Sequence, residues 1–210
     1  MLFTTTLKSL ILDSVRIEDN HYFGEWISNF KSLQGLSLTG ISGIKSMSIN
    51  SSTINQLQIQ NCNDLMDINI SAKKLRLLSL IWFSAGGTLN INAPNLDKFI
   101  WRGHVVDYNC KGDFSSLFHA EIDLSVSDQH QYEPSPMCIL NKVLHSMRMA
   151  KSLVLTTHFV QVKITLPSFY NNLYSTKGLI SVCQFFFFSS FVFCVNINLI
   201  IMVVVNRYLL

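Results

Sequence analysis

Between Leu33 and Ile122 the chain repeats itself every 21 residues. One column of the repeat reads Leu33, Ile54, Leu75, Leu96 and Leu117. Three residues on, the column reads Leu36, Leu57, Leu78, Phe99 and Ala120; two further on it reads Leu38, Ile59, Leu80, Trp101 and Ile122. Each row carries apolar-x-x-apolar-x-apolar, five times without a slip. All fifteen positions are apolar, in a chain that is 49% hydrophobic. No other feature constrains the fold as tightly.

The spacing has a mechanical meaning. Side chains alternate faces along a strand, so two apolar positions two apart point the same way. The first position of the row enters the core as the chain turns into the strand. One such strand cannot bury its apolar edge alone, and stacking equal turns buries a continuous ladder. A fixed period of this size around an LxxLxL core is the signature of a leucine-rich-repeat solenoid. The predicted class is therefore α/β: a solenoid of roughly seven turns, with a parallel sheet of short stacked strands and few helices.

A second set of columns shares the period. Met47, Ile68, Leu89 and Cys110 form one; Ile49, Ile70 and Ile91 form another, broken at Gly112; Ser51, Ala72 and Ala93 run beside them. Each turn is thus expected to carry a second short extended segment on its far side. Thr53-Ile54 and Pro94-Asn95 read as corners, since proline lacks a ladder donor.

The flanking units are longer. Leu10 and Leu36 are 26 residues apart. Tyr22, Phe23, Trp26, Ile27 and Phe30 recur at helical spacing there, with Asp19 or Asn20 as the expected cap. Leu7 to Leu12 reads as a strand that Val15 and Ile17 continue. The chain thus opens inside a solenoid, and the reading favours a truncated gene model or a fragment. Ser125 to Pro136 reads as a loop. Ser135-Pro136 then starts a helix with a stripe of Ile139, Leu140, Val143, Leu144 and Met147, and Lys151 to Leu155 returns as a strand.

The repeat domain spans 1–162, and 163–177 is a linker. Residues 178–206 carry no charge and include Phe185-Phe186-Phe187-Phe188. The run is long enough for a transmembrane helix, here a tail anchor. The other readings are sequence from an unspliced intron or a shifted frame, and a buried element.

Composition narrows the function. Charged residues are only 14% and the net charge is +3, with sixteen basic residues scattered along the chain. No basic stripe is visible in sequence, so nucleic acid is not the expected partner. The five cysteines, Cys62, Cys110, Cys138, Cys183 and Cys194, are widely spaced and include no CxxC. Buried thiols in a reducing compartment are expected rather than a disulfide framework or zinc site. The amino terminus lacks the basic n-region and unbroken apolar run of a secretory signal. The sequons at Asn50 and Asn69 are accordingly read as chance matches. The expected location is cytoplasm or nucleus, with a membrane as the alternative through 178–206.

No residue set suggests catalysis, a cofactor or a metal. Ser127, Asp128 and His130 are neighbours in sequence, which is not triad geometry. His104, Cys110 and His119 match no zinc spacing, and His104 is placed in a core-facing column. Gly86-Gly87 belongs to no phosphate loop. Lyases and hydrolases on a parallel β-helix need clustered acidic or basic groups on one face, and the outward columns repeat neither Asp nor Arg. The chain is therefore expected to be non-enzymatic.

Surface is what such a fold offers. The residues between the apolar positions form outward columns: Ser37, Gln58, Ser79, Ile100, Glu121, and Thr39, Gln60, Ile81, Arg102, Asp123. Ile81 and Ile100 stand among polar neighbours beside Lys98 and Arg102, a pattern suited to a peptide or protein. The expected contact residues are Gln58, Gln60, Ser79, Ile81, Lys98, Ile100, Arg102 and Glu121.

Particular units carry a family likeness. Leu7 to Val15 resembles the "LKxLxLxxV" unit of plant F-box/LRR-repeat proteins, of the kind that often end in an FBD domain. Ile91-Asn92-Ala93-Pro94-Asn95-Leu96 is similar to their "I-x-A-P-N-L" unit, and Ala150 to Leu155 repeats the first pattern. The likeness covers roughly residues 7 to 162. It implies the protein-substrate arm of an SCF ubiquitin ligase. A Skp-type adaptor and a cullin are implied only if an F-box lies upstream, since this sequence has none. At the Asn/Cys position of the general repeat the chain has Ile41, Cys62, Phe83 and His104, and only Cys62 matches.

Overall fold

In a computed structural model of the chain, residues 6–18, 22–82, 87–104, 106–111, 114–125, 136–155 and 179–182 are described. Among these residues twelve short strands and two helices follow one another. The first half holds β1 (Ser9–Asp13), α1 (Phe23–Ser28), β2 (Gly35–Thr39), β3 (Ser46–Asn50), β4 (Gln56–Gln60), β5 (Asp67–Ser71) and β6 (Leu77–Trp82). The second holds β7 (Thr88–Asn92), β8 (Lys98–His104), β9 (Asp107–Cys110), β10 (His119–Ser125), α2 (Pro136–Ser146), β11 (Ser152–Leu155) and β12 (Leu179–Val182). An eight-stranded sheet runs β1-β2-β4-β6-β8-β10-β11-β12, and a four-stranded sheet runs β3-β5-β7-β9. Every pairing is parallel. The fold is a parallel-sheet solenoid of α/β class with few helices.

The 21-residue period is the register of the larger sheet. Leu36 pairs with Leu57, Leu57 with Leu78, Leu78 with Phe99, and Phe99 with Ala120. Leu57, Leu78, Phe99 and Ala120 are all 0% exposed. Each fully buried Leu or Phe contributes about 1.5–3 kcal/mol, and none is buried without the turn beside it. Phe99 and Trp101 stack at 6.2 Å where the spine turns aromatic. The Trp82 indole N–H is satisfied by the Leu65 carbonyl at 2.5 Å.

Corners repeat as well. The carbonyls of Gln34, Asn55, Arg76 and Asp97 each accept two amides from the next turn. The Ser51 hydroxyl accepts from the amides of Thr53 and Ile54, which closes one corner.

The second set of columns becomes the smaller sheet, with one correction. Leu89 pairs with Tyr108, and Ile91 pairs with Cys110, so the period from β7 to β9 is 19 residues. Cys110 is not the partner of Leu89. Tyr108 is 1% exposed while Cys110 is half-buried. The turn after β8 is two residues short and the turn after β9 restores the count, because β8 and β10 stay 21 apart. The apparent break at Gly112 is this slip.

The two helices flank the smaller sheet. Helix α1 lies against β3, where a Cβ on Gly24 would fall 2.3 Å from the Ser48 carbonyl oxygen. Glycine here permits the close approach that its low helix propensity opposes. Helix α2 lies against β9, with Lys142 Nζ 3.6 Å from Asp107 Oδ1. Both edges of the sheet are therefore covered, which removes templates for edge pairing.

Details differ from the sequence expectations. Helix α1 is only six residues long, and its N-cap is Tyr22 with no side-chain cap bond. Asp19 and Asn20 lie outside the described residues. Strand β1 ends at Asp13, and Ser14 turns the chain at φ 55°, so Val15 and Ile17 do not extend it. Cys62 is buried and its thiol is pushed up by desolvation, but Cys110 is half-buried and Cys138 exposed. None of the three forms a disulfide. Of the uncharged run, Leu179–Val182 pairs with β11 as β12; the rest lies outside the described residues, as does 163–177. Among the described residues no helix is long and apolar enough to cross a membrane.

Candidate protein-recognition face

The outward face of the larger sheet is built by the same register that builds the spine. Alternation puts residues on either side of each apolar position outside. Register then aligns Ser37, Gln58, Ser79, Ile100, Glu121 and Val154 across six strands. A second line holds Thr39, Gln60, Ile81, Arg102 and Asp123. Lys98 stands in a third, between Leu77 and His119. Neighbours in a line are about 5 Å apart.

The face has two halves. Strands β2, β4 and β6 present amides and hydroxyls with Ile81. Strands β8 and β10 present charge. Arg102 Nε lies 2.9 Å from Glu121 Oε1, and Nη2 of the same guanidinium contacts that oxygen. Ile100 is half-buried between these halves. Gln58, Gln60 and Ile81 are half-buried too, and Lys98 is exposed. Ser79 is only 7% exposed: a short side chain set between Gln58 and Ile100 is covered by both.

The two histidines of the face are each anchored. His119 Nδ1 lies 3.2 Å from Ser152 Oγ, and burial first, then the Lys98 charge, holds its pKa below the ordinary value; Glu121 opposes. His104 Nδ1 lies 2.8 Å from Ser125 Oγ, which also donates to the Gly103 carbonyl. The placement of His104 in a core-facing column is corrected. Strand β8 runs through His104, so Gly103 takes the inward position and His104 the outward one.

The smaller sheet has an outward face that the sequence reasoning missed. Ser48, Asn69, Asn90 and Asn109 are in register. Asn90 Nδ2 donates to Asn69 Oδ1 at 2.7 Å, and Thr88 Oγ1 donates to Asp67 Oδ1 at 2.9 Å. Amide pairing along a ladder strengthens stacking between turns. Its signal was available at the 21-residue period in Ser48, Asn69 and Asn90.

Among the described residues no three His, Cys, Asp or Glu side chains gather as a metal site. Ser127, Asp128 and His130 lie outside the described residues. Compared with family models, with characterised proteins and with solved structures, the chain matches none.

Proposed function

We propose that the chain is a leucine-rich-repeat domain that recognises a protein without chemistry, as the substrate-binding part of an F-box-type SCF receptor. The supporting observation is the alignment of Ile81 and Ile100 among Gln58, Gln60, Arg102 and Glu121 on one sheet face. Half-buried apolar side chains ringed by hydrogen-bonding groups are the composition of a binding hot spot and its rim. The resemblance of residues 7 to 162 to plant F-box/LRR units supplies the SCF part of the reading.

The test is affinity capture from plant extract with the wild-type chain and with Ile81→Asp/Ile100→Asp. The reading expects one set of proteins lost from the double variant, and those proteins stabilised when the proteasome is blocked. An identical set on both baits overturns recognition by this face. A lost set indifferent to proteasome blockade overturns the ligase role alone.

A further inference from the structure

The cations that look scattered along the sequence line up in the fold. The corner that leads into each strand of the larger sheet recurs with the turns. Lys8 stands before β1 and Lys31 before β2; Lys73, Lys74 and Arg76 stand before β6. Lys98 opens β8, and Arg148 and Lys151 precede β11. These eight are most of the thirteen Lys and Arg among the described residues, and one acid, Asp97, shares their columns. The other described residues hold five cations and eight acids. Charge is thus segregated: one edge of the solenoid is basic and the remainder acidic. From β1 to β11 the belt spans six strand intervals, about 29 Å.

Its chemistry is specific in two ways. Arg76 pairs with Asp97 at 3.1 Å, and seven of the eight cations are exposed, with Arg148 half-buried. Two large apolar side chains also stand out between the cations: Phe118 at 59% exposure and Met149 at 52%. Lys151 Nζ sits 5.5 Å from the Phe118 ring centroid.

We propose that this edge is a docking surface for an anionic phospholipid membrane. The belt lies on the corners that lead into successive strands, so its cations follow one edge of the larger sheet from β1 to β11. Headgroup phosphates would neutralise the lysines, while Phe118 and Met149 enter the interfacial layer. A single-stranded nucleic acid needs stacking platforms along its track, and Phe118 is the one Phe, Tyr or Trp in these columns among the described residues. The surface shares Lys98 with the proposed recognition face, and the inference stands without that face.

The experiment is co-sedimentation of the full chain with vesicles of phosphatidylcholine alone or with about a third phosphatidylserine. The readout is the ratio of partitioning onto anionic over neutral vesicles, from which any contribution of residues 178–206 to both cancels. Each cation near an anionic leaflet is worth about a fivefold factor. Lys73→Ala/Lys74→Ala/Lys98→Ala should lower the ratio about hundredfold. Lys45→Ala/Lys111→Ala, outside the belt, should leave it unchanged. Added salt should erase the preference. A wild-type ratio near one overturns the proposal, and so does a triple variant that keeps the wild-type ratio. Uptake of a single-stranded oligonucleotide with no preference for anionic vesicles overturns it in favour of nucleic acid.

Discussion

The hydroxyls of Tyr108 and Ser146 lie 2.8 Å apart in the core, and Ser146 also donates to the Val143 carbonyl at 2.7 Å. That contact joins β9, an edge of the smaller sheet, to the helix that covers it. Burial holds the Tyr108 phenol well above its ordinary range, so it is neutral and hydrogen-bonded. The Tyr108 ring also lies 5.6 Å from Trp101, which links the helix through the tyrosine to the spine of the larger sheet.

Tyr108→Phe keeps the ring and removes the hydroxyl. Ser146 retains its bond to Val143, so no donor is orphaned. The expected cost is about 1 kcal/mol, the worth of one intramolecular hydrogen bond. Urea unfolding of both proteins measures it as a lower midpoint at unchanged slope.

Gly103→Ala should be far more damaging. Gly103 has φ 150°, and a Cβ there would stand 1.6 Å from the Trp82 carbonyl oxygen. The strand must shift or leave its register, at an expected cost of at least about 3 kcal/mol. Gly35→Ala is the comparison, because its Cβ would meet Ser9 Oγ at an ordinary 3.5 Å. Thermal melts should show a large fall for the first and a loss within about 1 kcal/mol for the second.

His119 predicts a pH dependence. Its folded pKa is below the unfolded value of 6.5, mainly through burial. The unfolded chain therefore takes up a proton at a higher pH than the folded chain does. Stability falls as pH drops through 6.5 towards the folded pKa, and this contribution levels off below it. His119→Gln removes the titration and keeps a polar partner for Ser152. Its urea midpoint should fall less than that of the wild type between about pH 7.5 and pH 5. Parallel losses in the two proteins would assign the acid sensitivity elsewhere.

Much of the spine was legible because its cause is periodic. Leu57, Leu78 and Phe99 had to be neighbours if equal turns were to share one core, and they are. Tyr108 was missed because a two-residue contraction hides inside a repeat whose other half keeps its count. Cys110 at the expected interval is apolar enough to pass for the partner of Leu89. His104 was misplaced because the inward position beside it is a glycine, and a missing side chain leaves no mark in a hydrophobicity pattern. Of the expected contact residues, seven have exposed or half-buried places on the outward face; Ser79 is shielded by longer neighbours.

Alternation and a 21-residue repeat are local properties of the chain, and they determined the parallel stacking and the composition of its core. How Lys8, Lys73, Lys98 and Lys151 relate is a different matter. Their spacings in sequence are unequal, because the units at the two ends hold helices and the middle ones do not. Only folding converts sequence distance into turn number, and it is turn number that sets which charges share an edge. The same conversion placed α1 and α2 on opposite edges of the smaller sheet, a result of packing between distant segments that no local pattern records.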